Sequence, residues 1–571
     1  MSHPRVLLSC LLLATFSLSV WAARWTPDPT LGNSDQHRRL YDIARTYCDA
    51  NFDPDANLVG TASKNPPNKK SHSVRESLSY AYALLLTGDP ADLAVAQKVI
   101  KRALIAQDTR PDSPTCGVFS WYAEDDWATL KNADQNSAAF DGLTCAMIFD
   151  LDKQHPVLDA DVRSQVEAAG KLAVAAVMRR DVEPGYTNIA LLSIALGAAG
   201  EKLWSVPGAG AFAEAKLDKV TSMAGDQEFY EYLSPTYLGV DIYGAYSARK
   251  FSFSPAFATK ADALIDHLWK EVAASYHAPT FQLAGPFCRA YGDNMLAYAA
   301  ALKYDLFLAL DGAYPLPDTE TDHDWDKAGL AVIANLPILP RSEFKQPTVP
   351  WREFTATGTD EKSPVRHFSQ YREGNFILGT VAYQDEWKQK RNLVAYWRND
   401  GPPPDGYSVG YCIDESNETL SSKAPAGFIH FYSQQVKGAA LVAMATNRDV
   451  PLDGGCSLVF DGSAKVSDGI DAGSLKVDDG TVTAYVYPVS NGAGSFVLKA
   501  DANNVRLNRP WTQADAVTTT GPLHVVSYLI VFRLSGQLAP TISDLVLKGD
   551  ENGASATAKV DGDALSVSFK N

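Results

Sequence analysis

The chain has 571 residues and a formal charge of −16, with 46% hydrophobic and 21% charged residues. A chain of that length exceeds what one hydrophobic core organises, so two or more domains are expected. The acidic balance excludes a nucleic-acid partner, which would be repelled over most of the surface, but leaves room for a local basic cleft that takes an acidic polysaccharide.

The chain opens Met1-Ser2-His3-Pro4-Arg5, runs apolar from Val6 to Trp21 and closes on Ala22-Ala23 before the polar Arg24. A basic start, a short apolar run and small residues at its end predict a cleavable secretory leader over residues 1–22. The run is too short and too rich in serine for a stable membrane span, and no later stretch is a better candidate. The expected location is therefore extracellular (periplasmic in a bacterium), with no membrane attachment after the leader is removed. In such a compartment the six remaining cysteines, Cys48, Cys116, Cys145, Cys288, Cys412 and Cys456, allow up to three disulfides in pairings that sequence does not give. Asn417-Glu418-Thr419 is a glycosylation sequon. No Cys-x-x-Cys, His-x-x-x-His or calcium-loop spacing occurs, so no metal or other cofactor is expected, a divalent cation being left open.

From about residue 36 to 336 the hydrophobic pattern is helical. Ser73–Thr87 carries apolar positions at helical spacing and stops at Gly88-Asp89-Pro90, where a second helix begins and runs through Ala103. Similar stretches follow at 133–151, 160–178, 187–203, 211–223, 236–250, 255–274, 294–310 and 326–333. Short Gly-, Pro- or Asp-rich turns separate most of them, which implies antiparallel helix pairs.

After Leu336-Pro337-Ile338-Leu339-Pro340 the texture changes to short apolar or alternating β-branched runs between Gly, Asn and Asp turns. They lie at 375–383, 393–397, 427–432, 439–445, 457–460, 482–488, 494–498 and 524–534. Many strands with few helices imply an antiparallel β-sandwich. The expected domains are a helical one over 23–340 and a β-sandwich over 341–571, with 541–571 completing the sandwich or forming a small appended unit.

The segment richest in chemistry is Asp226–Gly244, which sets Tyr230, Tyr232, Tyr237 and Tyr243 beside Glu228, Glu231 and Asp241. Ser234-Pro235 reads as a cap and first helical position, which would put Tyr237 in the first turn of a helix. The spacing Asp226-x-x-Phe229-x-x-Tyr232-x-x-x-x-Tyr237-x-Gly239 resembles the catalytic segment of the helical-toroid polysaccharide lyases, such as hyaluronate, chondroitin and xanthan lyases. Their pattern is Asp-Gly-Ser-Phe, two residues, His, four residues, then Tyr-x-Gly, so Tyr232 stands here where that family has histidine. Asn188, in Gly185-Tyr186-Thr187-Asn188-Ile189, and Arg289, in Gly285-Pro286-Phe287-Cys288-Arg289-Ala290-Tyr291-Gly292, follow the family's order of asparagine, tyrosine and arginine. Tyr383 and Gln389–Trp397 also look like a β-sandwich stretch of related lyases. The resemblance covers most of the chain in architecture but only about three short stretches in motif.

It implies an N-terminal (α/α) toroid of helical hairpins, an antiparallel β-sandwich and β-elimination on a uronate-containing glycan. It further implies catalytic roles for Tyr237, Asn188, Arg289 and Tyr232. That chemistry suits the residue types. The proton α to a uronate carboxylate must be removed, an amide or guanidinium must stabilise the charge that develops, and an acid must protonate the leaving oxygen. A tyrosine can serve if a cation favours its phenolate. Aromatic and polar side chains line sugar sites, so Trp121, Tyr230, Tyr243, Tyr291, Glu231, His277 and His367 are expected substrate contacts, the histidines and His72 being candidates for the missing family histidine. Two rival readings stand. A glycoside hydrolase would pair a carboxylate of Glu124-Asp125-Asp126 with Glu228, Glu231 or Asp241, and a non-catalytic protein would only hold glycan in its aromatic cleft.

Overall fold

The computed structural model describes residues 25–570 apart from 27–32, 63–69, 297–300, 317–323, 347, 359–363, 388, 400–408, 417–428, 447–454, 470–472, 490–495, 501–503, 511–522 and 551–552. The leader and the sequon at Asn417 lie outside the described residues. Eleven α-helices occur among them: α1 (Ser34–Asn51), α2 (Val74–Leu85), α3 (Pro90–Leu104), α4 (Ser137–Gln154), α5 (Ala160–Arg180), α6 (Thr187–Trp204), α7 (Ala209–Ala224), α8 (Leu238–Lys250), α9 (Pro255–Ser275), α10 (Ala301–Ala309) and α11 (Leu330–Ala334). The chain divides into two compact units, one of residues 1–180, 196–210 and 325–339, the other of 181–195, 211–324 and 340–571.

In the first unit, local chemistry sets the helix starts. Asp89 caps α3 through the amides of Ala91 and Asp92, with Pro90 as its first helical residue. Ser73 caps α2 through the amide of Glu76. Helices α2 and α3, like α4 and α5, form the antiparallel hairpins of the (α/α) class. His37 ties α1 to α11 through the carbonyls of Ala334, at 2.7 Å, and Ile338, at 3.0 Å. A small sheet of the strands Phe52–Asp53, Leu58–Ala62 and Lys70–Ser73 precedes α2.

The second unit contains the β-sandwich. One sheet of eight antiparallel strands runs in the order Val497–Ala500, Asn504–Pro510, Gly455–Asp461, Val409–Ser416, Leu393–Arg398, Phe376–Val381, Arg366–Glu373 and Trp351–Ala356. The facing sheet of seven runs Lys465–Asp468, Leu475–Asp478, Val482–Val489, His524–Leu534, Ala439–Thr446, His430–Val436 and Tyr383–Asp385. Phe532 of the second sheet meets Phe376 at 5.3 Å and Trp397 at 6.3 Å across the interior. Residues 541–571 supply a third sheet, Ile542–Asp550, Gly553–Val560 and Asp563–Lys570, packed on the outer face of the seven-stranded one. Leu441, Leu529 and Val531 share a core there with Leu547, Val567 and Phe569. Because both of its faces are covered, every residue of Ala439–Thr446 is buried, and the run reads as continuous rather than alternating apolar.

The expected disulfides are absent among the described residues. Cys48, Cys116, Cys145, Cys288 and Cys412 are free thiols, each buried as a small apolar side chain. No helix among the described residues is long and apolar enough to cross a membrane.

Candidate functional site: a tyrosine pair on a buried ion pair

The second unit gathers Asn188, Glu231, Tyr237, Arg289 and Tyr291 into one hydrogen-bonded network. Asn188 enters with the first turn of α6. Tyr237 stands just before α8 rather than inside its first turn, as its N-cap residue with φ −106°. Ser234 holds it there. Its Oγ accepts the amide of Tyr237 at 3.1 Å and donates to the carbonyl of Arg289 at 2.6 Å. Gly239, two residues on, lets α8 meet α10 closely, since a Cβ there would fall 2.5 Å from the backbone nitrogen of Leu302.

The turn bearing Arg289 and Tyr291 is sewn to the β-sandwich. Phe287 and Arg391 exchange backbone hydrogen bonds of 2.9 and 3.0 Å, and Ala290 donates to the carbonyl of Gln389 at 2.8 Å. That pairing carries the loop between Tyr383–Asp385 and Leu393–Arg398 to the guanidinium, where Gln389 Oε1 accepts from Arg289 Nε at 2.9 Å. The ring of Trp387 lies 5.4 Å from the guanidinium carbon. Trp387 and Gln389 are contacts that sequence spacing does not pick out as site residues, because their place depends on this pairing.

Arg289 is the hub. Its Nη1 donates to Glu231 Oε1 at 3.0 Å, and its Nη2 reaches the hydroxyls of Tyr237 at 3.1 Å and Tyr291 at 3.4 Å. The other oxygen of Glu231 accepts from the backbone and side-chain nitrogens of Asn188 at 2.9 and 2.6 Å. The two tyrosine hydroxyls bond each other directly, their rings edge to face with centroids 5.7 Å apart. Burial works against the charge of Arg289, yet Tyr237 and Glu231 together hold its pKa above the ordinary range. Burial pushes the Tyr237 phenol up, against the pull of Arg289. Arg289 alone therefore does not make Tyr237 a phenolate, because burial outweighs its pull, and Tyr291 and Glu231 add to the opposing side.

Other sequence candidates fall elsewhere. Tyr232 is fully buried, packed on Phe368 at 4.3 Å, and gives its hydroxyl to Gln384 at 2.8 Å, so it does not join Tyr237. His277 is buried between Thr280 Oγ1, at 2.9 Å, and the carbonyl of Gly374, at 3.1 Å, and burial lowers its pKa to about 4. It is a neutral packing residue. Tyr230 is half-buried, 5.9 Å from the guanidinium carbon of Arg366. His367 stands exposed on the strand Arg366–Glu373, and Tyr243 is half-buried on α8. Asn188 is 1% exposed, its amide turned to Glu231 rather than to solvent. Trp121 and His72 lie in the first unit. Trp121 is exposed and donates to Asp134, while His72 pairs with Glu124 at 2.5 Å and Asp53 at 3.3 Å.

Of the acids in the hydrolase reading, Glu124 and Asp126 are exposed in the first unit, whereas Glu228, Glu231 and Asp241 of the second unit are buried. Glu228 bonds Arg352 at 2.5 Å, and burial raises its pKa to about 7 despite that cation. Asp241 is buried beside Glu231, and burial raises its pKa well above the carboxylate range. Among the described residues no group of three or more His, Cys, Asp or Glu side chains gathers to hold a metal ion. A separate cavity of about 500 Å³ on the sandwich is lined by Tyr371, Phe376 and Phe532, but its cations are already paired, Arg533 with Asp561 and Lys437 with Asp563.

Against known proteins, a sequence model of one family matches residues 38–336, more than half of the chain. The chain belongs to that family, described as Domain of unknown function (DUF8769). No curated protein matches it. Among solved structures, this DUF8769 member is similar to heparinase III at 10% identity, with a TM-score of 0.45 over 96% of this chain and 93% of that one. It is similar to Paenibacillus xanthan lyase at 11% identity and a TM-score of 0.41, over 92% of this chain and 60% of that one. The endoglucanase CelQ from Clostridium thermocellum gives 8% identity and a TM-score of 0.26, over 89% and 93%.

Proposed function

We propose that this protein is a secreted polysaccharide lyase that cleaves a uronate-containing glycan by β-elimination. One observation carries the reading: two tyrosine hydroxyls meet beside a guanidinium that is anchored from behind by a buried carboxylate. The secretory part of the proposal rests on the leader pattern of residues 1–22.

Elimination needs a base near the proton at C5, positive charge near the uronate carboxylate, and an acid near the oxygen leaving C4. Tyr237 and Tyr291 supply hydroxyls of the right kind. Arg289 supplies charge within hydrogen-bond reach of both, its orientation set by Glu231, Gln389 and the ring of Trp387. Asn188 holds Glu231, and through it the guanidinium.

The test is incubation with a panel of acidic and neutral glycans. A new ultraviolet absorbance from a 4,5-unsaturated uronate end is the expected result. Reducing ends without that absorbance would establish hydrolysis, and binding without cleavage a carbohydrate-binding module; either overturns the proposal.

A further inference from the structure

We infer that Tyr291 and Tyr237 divide the acid–base work, Tyr291 taking the C5 proton and Tyr237 protonating the leaving oxygen, and that their direct hydrogen bond resets the pair. The inference rests on the lyase reading above.

The two phenols share a cation but not an environment. Tyr291 is 38% exposed, whereas Tyr237 is half-buried at the start of α8. Burial penalises a phenolate, so the half-buried Tyr237 keeps its proton, and the exposed hydroxyl of Tyr291 is the one that a C5 proton of a bound glycan can reach. A phenolate on Tyr291 would accept from the Tyr237 hydroxyl and from Arg289 Nη2, two donors already aimed at its oxygen. The position of Tyr291 is fixed independently, because its amide donates to Thr236 Oγ1 at 3.3 Å, next to Tyr237 in sequence.

The step balances without a co-reactant. The Tyr291 phenolate takes the C5 proton, and the C–H electron pair forms the C4–C5 double bond. The C4–O bond breaks, and its oxygen takes the hydroxyl proton of Tyr237. Tyr291 is then neutral and Tyr237 is the phenolate. Transfer of one proton along the bond between them restores the starting pair, so no buried group must reach bulk water between turnovers.

A substrate that needs no acid separates the roles. A uronoside carrying fluoride at C4 in place of the glycosidic oxygen eliminates an anion that leaves unprotonated. On a natural glycan, Tyr237→Phe and Tyr291→Phe should each lose about a hundredfold or more in kcat. On the fluoride, Tyr237→Phe should stay within about tenfold of the parent while Tyr291→Phe keeps its full loss. Tyr291→Phe should still bind the glycan, which shows that the exposed ring and the fold are intact. Full activity of Tyr291→Phe, or equal loss by Tyr237→Phe on both substrates, overturns the division and leaves the lyase reading standing. A parent protein that forms no unsaturated product from any glycan or from the fluoride overturns the lyase reading itself.

Discussion

Glu231 joins the two ends of the network, accepting from Asn188 on one oxygen and from Arg289 on the other while only 3% exposed. A buried carboxylate in that place orients the guanidinium and also cancels part of its field at the tyrosines. Glu231→Gln keeps the shape and removes the charge. Arg289 then favours phenolate more strongly, so the alkaline limb of the pH–rate profile should move to lower pH; an unmoved limb would mean that Arg289 does not control phenol ionisation. Glu231→Ala instead leaves a buried cation unpaired, and denaturant unfolding should show a loss of about 3–5 kcal/mol. At this scale the sequence was legible where a residue carries an unusual local motif: Asn188, Tyr237 and Arg289 lie in short distinctive segments, and the structure brings them together. Tyr232 and His277 lie in equally polar and aromatic segments yet turn inward, toward Gln384 and toward Gly374. Which way a side chain faces there depends on segments of the sandwich 152 and 97 residues away, and no local pattern encodes it.

At the scale of elements, the site depends on how closely the Arg289 turn lies on the eight-stranded sheet. Gly379, in the strand Phe376–Val381, makes that approach possible, since a Cβ there would sit 1.8 Å from the carbonyl oxygen of Gly285. Gly379→Ala must push the turn away from the sheet, at a cost of about 1–3 kcal/mol or more. Because residues 287–291 carry Arg289 and Tyr291, turnover should fall with stability. A variant with parental stability and turnover would show that the turn can shift without consequence. Helices were legible from their periodicity, and α3, α5, α6 and α9 begin at the expected residues, α3 and α9 marked by a capping side chain and a first-position proline. The small sheet before α2 was not, because Lys70-Ser71-His72-Ser73 has no apolar alternation to mark it as a strand. The run 294–310 is helical over Ala301–Ala309, with 297–300 outside the described residues.

For the whole molecule, buried ionisable groups set how stability follows pH. Asp141 on α4 is 1% exposed, and burial raises its pKa from 3.8 to about 7, against Arg75 at 3.8 Å. A carboxyl raised in the folded state contributes stability that is complete below its unfolded pKa and is lost as pH rises to the folded value. Asp141→Asn removes that loss, so its unfolding free energy relative to the parent should improve by about 3 kcal/mol between pH 4 and 7. A difference that does not change with pH would contradict it. His277 acts with the opposite sign in much the same window. Burial lowers its pKa from 6.5 to about 4, so its contribution is present above 6.5 and lost as pH falls toward 4. The class of the whole chain, helical hairpins followed by an antiparallel sandwich, was legible from the change of hydrophobic period. The cysteines were not, because their count and a secretory context read alike whether thiols pair or pack singly.

The central claim is cleavage by elimination, and the fate of water tests it most directly. Glycan cleaved in water enriched in heavy oxygen should give products that carry none of the label at the new ends, because elimination breaks the C4–O bond without adding water. Label at the new reducing end, one oxygen per cleavage, would mean hydrolysis and would contradict the account.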